Sequence, residues 1–151
     1  ARVFCLIPGL ENAEFARFGQ MHRNTYINAP ELLHATLQSR DRPDLFFAGQ
    51  IAGIEGYMGN ISSGLLAGLN ASRFLKGLPL LHFPLDTMLG ALHHTIANAD
   101  PKSFQPTKAN FGIVRPLEVK RQSKKERGFA YAKRALNSMR FFIETNLSKG
   151  I

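Results

Sequence analysis

The chain has 151 residues, 44% apolar and 20% charged, with a net charge of +8, which is the composition of about one ordinary globular domain. Its one Cys, at position 5, excludes an intrachain disulfide and a Cys-based zinc site, and it fits a reducing compartment. No run of roughly 18 or more apolar residues occurs, so no membrane span is expected.

The N-terminus lacks the charged–apolar–small pattern of a signal peptide. It opens on Ala1 rather than Met, the look of a processed chain or of a piece of a longer one. RVFCLIP, residues 2–8, reads as a short apolar strand stopped by Pro8-Gly9. ENAEFARFG, residues 11–19, reads as a helical turn ended by Gly19. The segment MHRNTYIN then places His22, Arg23, Asn24 and Thr25 in one short polar island, for which a surface loop with an ordinary capping network is the plainer reading. APELLHATLQS, residues 29–39, reads as a short helix, with Pro30 where a missing N–H is tolerated.

DLFFAG, residues 44–49, is apolar almost throughout and has the look of a strand buried on both faces. A glycine-broken turn follows, and a helical pattern runs from about Tyr57 to Lys76. Met58, Ile61, Leu65 and Leu69 form its apolar face. Gly64, Ala67, Gly68 and Ala71 form a second, small face that suits close approach of another element. DTMLGALHHTIANA, residues 86–99, predicts another helix, with Asp86 as N-cap. Adjacent His93 and His94 do not share a helix face, so no two-His metal site is expected there; His34 and His82 read as structural. A long, proline-interrupted loop fills 100–118. The last helix, about 123–146, lines up Phe129, Ala132, Leu136, Met139 and Ile143 on one face, with Arg127 and Arg134 roughly opposite.

A buried strand that runs through a glycine turn into a helix makes an anion site. The helix N-terminus offers unpaired N–H groups and a partial positive charge, and absent side chains let a ligand reach the backbone. Gly49, Gln50, Gly53, Gly56 and Tyr57 therefore form a candidate dinucleotide site; turns and packing alone account for the same glycines. Charge is unevenly placed. Residues 1–114 hold nine Lys/Arg and eight Asp/Glu, a balance of +1, whereas residues 115–151 hold ten and three, a balance of +7. Lys120, Arg121, Lys124, Lys125 and Arg127 crowd the start of the last helix, where cations oppose the helix dipole and an external anion relieves them. A solvated charged face is the plainer reading of such a run.

The stretches RVFCLIPGLENAEFARFGQMHRNTYINAPELL, RDRPDLFFAGQIAGIEGYMGNISSGLLAGLNASRF, LGALHHTIANADPKSFQPTKANFGIVRPLE and KKERGFAYAKRAL occur in the order seen in one family. The chain resembles the folate- and FAD-dependent tRNA (uracil-5-)-methyltransferases over almost its whole length, and only their C-terminal part. The resemblance implies an α/β fold: the C-terminal portion of a Rossmann-like FAD-binding fold with a helical, basic C-terminal segment. Residues 1–114 would belong to the FAD domain and the folate-side loop, and residues 115–151 to a basic helix packed on it. The family's GxGxxG half-site and its reactive cysteines lie upstream, so the nucleophile is not assigned to Cys5 and the fragment is expected to be inactive alone.

The implied reaction moves a one-carbon unit from methylenetetrahydrofolate, with FAD as cofactor and NAD(P)H as reductant, to C5 of a T-loop uridine in tRNA in the cytoplasm. By resemblance, Gly49 and Gln50 lie beside the ribityl chain, and Gly53, Glu55, Gly56 and Tyr57 form the turn under the pyrophosphate and flavin. His22, Arg23, Asn24 and Thr25 lie near the flavin ring and the folate site, and the basic cluster faces tRNA. The family's GYVESAASG is GYMGNISSG here, so Gly59, Asn60 and Ile61 depart from the pattern. A non-catalytic basic RNA-binding module is the alternative function, resting on the basic tail.

Overall fold

The computed structural model describes residues 3–15, 24–118 and 123–147. Four helices carry the described fold: α1 (Ala29–Leu32), α2 (Tyr57–Leu75), α3 (Met88–Asn98) and α4 (Lys124–Asn146). Between them lies a two-stranded parallel sheet, β1 (Ile54–Glu55) and β2 (Thr107–Lys108), with Ile54 opposite Thr107. Mixed helix and a small parallel sheet are compatible with an α/β class. Leu33, Leu37, Ile54, Leu66, Leu92 and Ile96 form the centre of the core, all essentially inaccessible.

Two expected strands are absent. Residues 4–6 form a 3-10 turn, closed by Leu6 N–H to the Val3 carbonyl at 3.2 Å and Ile7 N–H to that of Phe4 at 3.1 Å. No strand among the described residues lies alongside, so the backbone bonds locally instead. The 44–49 segment is likewise not a doubly buried strand. It makes one antiparallel bridge, Phe46 with Gln38, and Phe46 to Gly49 are only half-buried. The helix expected over 29–39 stops after one turn. There the chain reverses, with His34 N–H bonding the Gln38 carbonyl at 2.9 Å and Leu37 held at φ 66° in the left-handed region.

α2 matches its expected span but turns inward neither the expected apolar face nor most of the small one. Gly59, Ser62, Ser63, Leu66, Ala67 and Asn70 are buried, whereas Met58, Ile61 and Leu65 are 72%, 67% and 56% exposed. Gly64 and Gly68 face open space; the close approach is at Gly59, where a Cβ would stand 2.7 Å from Ile54 Cγ2. Asn70 supplies the polar reason for this orientation. Its Nδ2 donates to the Thr36 and Leu81 carbonyls at 3.0 Å each, and its Oδ1 accepts from Leu81 N–H at 2.7 Å. The helix ends in a Schellman motif on Gly77 (φ 66°), with Leu78 N–H bonding the Arg73 carbonyl at 2.9 Å and Gly77 N–H that of Phe74 at 3.0 Å.

The cap of α3 is Thr87, not Asp86: Thr87 Oγ1 accepts from Gly90 N–H at 3.0 Å. Asp86 instead lies 3.6 Å from Arg134 Nε. Ser123 and Glu126 form a capping box at the start of α4. The expected apolar face of α4 is not its buried side, since Phe129, Leu136 and Ile143 are exposed. Its buried anchor is Phe142, edge-on to Phe83 at 5.6 Å. His93 and His94 part company as their spacing requires, one buried and one exposed. His93 stacks on Phe83 at 5.8 Å with both ring nitrogens unpartnered, and burial pulls its pKa down to about 4.

Two stability measurements follow from these contacts. Asn70→Ala strands the Leu81 N–H and two carbonyls in the core, and urea unfolding should show a loss of about 3 kcal/mol. His93 is neutral in the folded state and charges more easily when unfolded, so its contribution is complete above pH 6.5 and falls as pH drops toward 4. Between pH 7.5 and 5 that loss should be about 2 kcal/mol. In His93→Leu the same pH step should cost clearly less, and an unchanged slope would place the acid sensitivity elsewhere.

Candidate functional site

The glycine turn before α2 is shaped by three left-handed glycines: Gly49 (φ 76°), Gly53 (φ 79°) and Gly56 (φ 88°). Only residues without a Cβ adopt such angles cheaply, and three within eight positions turn the chain from the 46–48 segment into the helix. Gly49–Ala52 form one 3-10 turn, closed by Gly53 N–H on the Gln50 carbonyl at 3.0 Å. Gly49 N–H donates to Ser63 Oγ at 2.8 Å, and that hydroxyl donates to the Asn60 carbonyl at 2.8 Å, so the turn is fastened to the first turns of α2. Ile27 N–H bonds the Ile51 carbonyl at 2.9 Å and ties in the chain that follows the polar island.

Gly56 is the N-cap of α2 and supplies no side chain to it. A Cβ there would meet nothing within 4 Å, and Glu55, Gly56 and Tyr57 are all exposed, Tyr57 by 90%. The helix therefore presents its N-terminal N–H groups and positive dipole end to open space. Two buried amide atoms nearby lack partners, Gln50 Nε2 and Asn60 Oδ1. The Asn60 oxygen lies 3.6 Å from where a Gly49 Cβ would stand. A buried donor or acceptor without a partner costs roughly 1–3 kcal/mol unless a ligand completes it. An open, uncapped helix start fits a phosphate-bearing group and Gln50 Nε2 is a further donor beside it, whereas Asn60 Oδ1, an acceptor, suits a hydroxyl or N–H donor and not the anion itself.

The six turn residues expected to act together are thus contiguous around one helix start. Asn24 and Thr25 are exposed; His22 and Arg23 lie outside the described residues. Lys124, Lys125 and Arg127 are exposed at the start of α4, while Lys120 and Arg121 lie outside the described residues. Glu126 sits among these cations. Hydrogen bonds from the Ser123 hydroxyl and backbone hold its carboxyl below the usual range. Sequence reasoning missed Asn60 and Ser63 as site residues. Their signal was present in the stripe Asn60, Ser63, Ala67, Asn70, spaced i, i+3, i+7, i+10, which marks one helix face as polar and inward. Among the described residues no helix is long and apolar enough to cross a membrane.

A family model described as glucose inhibited division protein A matches residues 1–79. Curated relatives carry the name methylenetetrahydrofolate--tRNA-(uracil-5-)-methyltransferase TrmFO. The protein from Pelotomaculum thermopropionicum is 57% identical over 146 residues, 97% of this chain and 33% of its own length. That from Syntrophomonas wolfei is 51% identical over 147 residues, 97% of this chain and 34% of its own. That from Lactiplantibacillus plantarum is 50% identical over 147 residues, again 97% and 33%. The chain spans about a third of the length of the relatives it matches.

The turn geometry separates glycines that are structurally required from those that are not. A Cβ on Gly53 would stand 2.5 Å from Phe104 Cζ in a left-handed conformation. Gly53→Ala should cost about 2 kcal/mol or more. Gly64→Ala meets open space within a helix and should be neutral or stabilise by up to about 1 kcal/mol. Denaturation midpoints that move the same way in both variants would contradict the turn as described.

Proposed function

The chain belongs to the glucose inhibited division protein A family, and on that premise we propose that it forms the C-terminal part of a methylenetetrahydrofolate- and FAD-dependent enzyme that methylates C5 of a T-loop uridine in tRNA. The observation that carries this reading is the uncapped start of α2 at Gly56, with unpartnered Gln50 Nε2 and Asn60 Oδ1 beside it, in a chain so close to proteins of that name. In this reading residues 1–114 are the C-terminal portion of a Rossmann-like FAD-binding fold, and residues 115–151 are a basic segment packed on it.

FAD, when bound, supplies the electron pair that turns a folate-borne one-carbon unit into a methyl group. The residues of this chain bind and orient. Gly49, Gly53 and Gly56 shape the backbone so that the first N–H groups of α2 are free to hold phosphate oxygens. Gln50 offers a buried amide donor, and Glu55 and Tyr57 flank the opening. His22, Arg23, Asn24 and Thr25 serve the folate side: the imidazole stacks on or bonds a pterin, the guanidinium holds a carboxylate, and the amide reads a heterocycle edge. Lys120, Arg121, Lys124, Lys125 and Arg127 take tRNA phosphates, contacts that position RNA without reading sequence. NAD(P)H is the reductant, the remainder of the enzyme the partner, and the cytoplasm the location. The +7 balance of residues 115–151 favours a second reading, a basic RNA-binding module without catalysis.

The two readings part on flavin. Gly56 and Gly77 bound the two ends of α2, both left-handed and both facing open space. Valine strains the backbone at either position and more so at Gly56, whose ψ of 148° lies outside the left-handed helical well, so circular dichroism first establishes that both variants are folded and the flavin held per folded molecule then reports on the ligand. In the full-length protein, Gly56→Val should lose most of its FAD and its transfer of labelled one-carbon units to tRNA, while Gly77→Val keeps both. Equal flavin content in the two variants, or a full-length wild type without flavin, would leave the RNA-binding module standing.

A further inference from the structure

The loop at 110–113 and the first turns of α4 enclose a cleft of about 420 Å³, lined by Phe111, Gly112, Lys124, Arg127, Gly128 and Tyr131. The rings of Phe111 and Tyr131 lie 5.2 Å apart and tilted by 43°, and Phe111 is 59% exposed. Gly128 stands inside a helix, where glycine costs about 1 kcal/mol against alanine. Nothing lies within 4 Å of where its Cβ would be, so its missing side chain opens space and serves no packing contact.

The loop is held in place on α4. Asn110 Oδ1 accepts from Gly112 N–H at 2.8 Å while its Nδ2 donates to the Lys108 carbonyl at 2.9 Å, which fixes the turn that carries Phe111. Arg134 Nη1 and Nη2 donate to the Pro116 and Arg115 carbonyls at 3.1 and 2.6 Å, and its guanidinium lies 5.3 Å from the Tyr131 ring centre. The cleft is thus preformed, with an aromatic wall, an open glycine wall and two cations.

We propose that this cleft holds one unpaired nucleobase of the RNA, stacked on the Phe111–Tyr131 pair, with its adjoining phosphate at Lys124 and Arg127. The two rings already touch, so the base lies against the pair rather than between its members. Charge chooses the occupant: the surrounding segment is strongly cationic, and a planar group joined to a phosphate matches both walls. A paired base in a helix hides its faces in the stack, which restricts the site to loops, bulges or ends. The proposal rests on the tRNA reading above and adds Phe111, Tyr131, Gly112 and Gly128 to it, residues that carry no positive charge.

The test uses the full-length protein and a short oligoribonucleotide carrying 2-aminopurine, single-stranded or annealed to its complement. The single strand should bind with quenching of the base analogue, and the duplex should bind more weakly and without it. Phe111→Ala should abolish the quenching and weaken single-strand binding roughly 5- to 100-fold, with the salt slope unchanged. Phe111→Tyr should retain both, and an unchanged unfolding midpoint of Phe111→Ala should show that the loss is of the ring and not of the fold. Joint Lys124→Ser and Arg127→Ser should flatten the salt slope and leave the quenching intact at saturating RNA. Duplex binding equal to single-strand binding, or an inert Phe111→Ala, would overturn the proposal. One-carbon transfer by the wild type is scored separately. Quenching without transfer rejects only the methyltransferase reading, and transfer without quenching rejects only the nucleobase site.

Discussion

One buried amide organises the described fold. Asn70, wholly inaccessible within α2, bonds the backbone of two other segments at once, the turn at Thr36 and the chain at Leu81. Neither segment carries a ladder long enough to satisfy its own backbone, and a buried carbonyl or N–H without a partner is costly. The side chain therefore stands in for missing secondary structure. It also fixes the rotation of α2 about its axis, and with it the position of Ser63 under Gly49 and of Gly59 against Ile54. The geometry of the glycine turn is thus set in part by a residue more than two helical turns away.

The orientation of α2 inverts the ordinary rule for amphipathic helices. Hydrophobic burial would place Met58, Ile61 and Leu65 inward, at about 25 cal/mol per Å² of area removed from water. They face outward, and Ser62, Ser63 and Asn70 are buried with hydrogen bonds to match. Small residues permit this arrangement because they let the helix sit close to β1 and α3, where backbone polar groups are within reach. The apolar stripe is left as surface, and α4 repeats the pattern with Phe129, Leu136 and Ile143 exposed.

Legibility in the sequence followed the range of the forces involved. The spans of α2, α3 and α4 were legible because helical periodicity and capping are local, and so was the glycine turn, since positive φ leaves its mark on composition. Strands at 2–8 and 44–49 were not realised, because a strand exists only with neighbours, and the described residues offer the second segment a single bridge. The one parallel pair joins Ile54–Glu55 to Thr107–Lys108, two residues each and far apart in the chain, which no local pattern announces. The inward faces of α2 and α4 were misjudged for a related reason: periodicity gives the stripes, and tertiary partners decide which stripe turns in. The glycines of the turn were legible, and a polar stripe through Asn60, Ser63 and Asn70 was there to be read, but the partners that make Asn70 decisive were not, because they are backbone atoms of distant segments.

Arg134 shows how little chemical class says about tolerance to change. It sits on a basic helix among interchangeable-looking cations, yet its guanidinium meets the Arg115 and Pro116 carbonyls, the Asp86 carboxylate and the Tyr131 ring. That set of partners needs a planar fork with several donors in fixed directions, which the single ammonium of lysine does not offer. Position 134 is therefore narrow in what sequence drift permits, although exchange to lysine would preserve the charge. Lys133 and Arg140 on the same helix are exposed, and substitution there alters charge without disturbing a shared geometry. Among the described residues the basic segment thus holds a fixed position beside free ones, and net charge alone does not tell them apart.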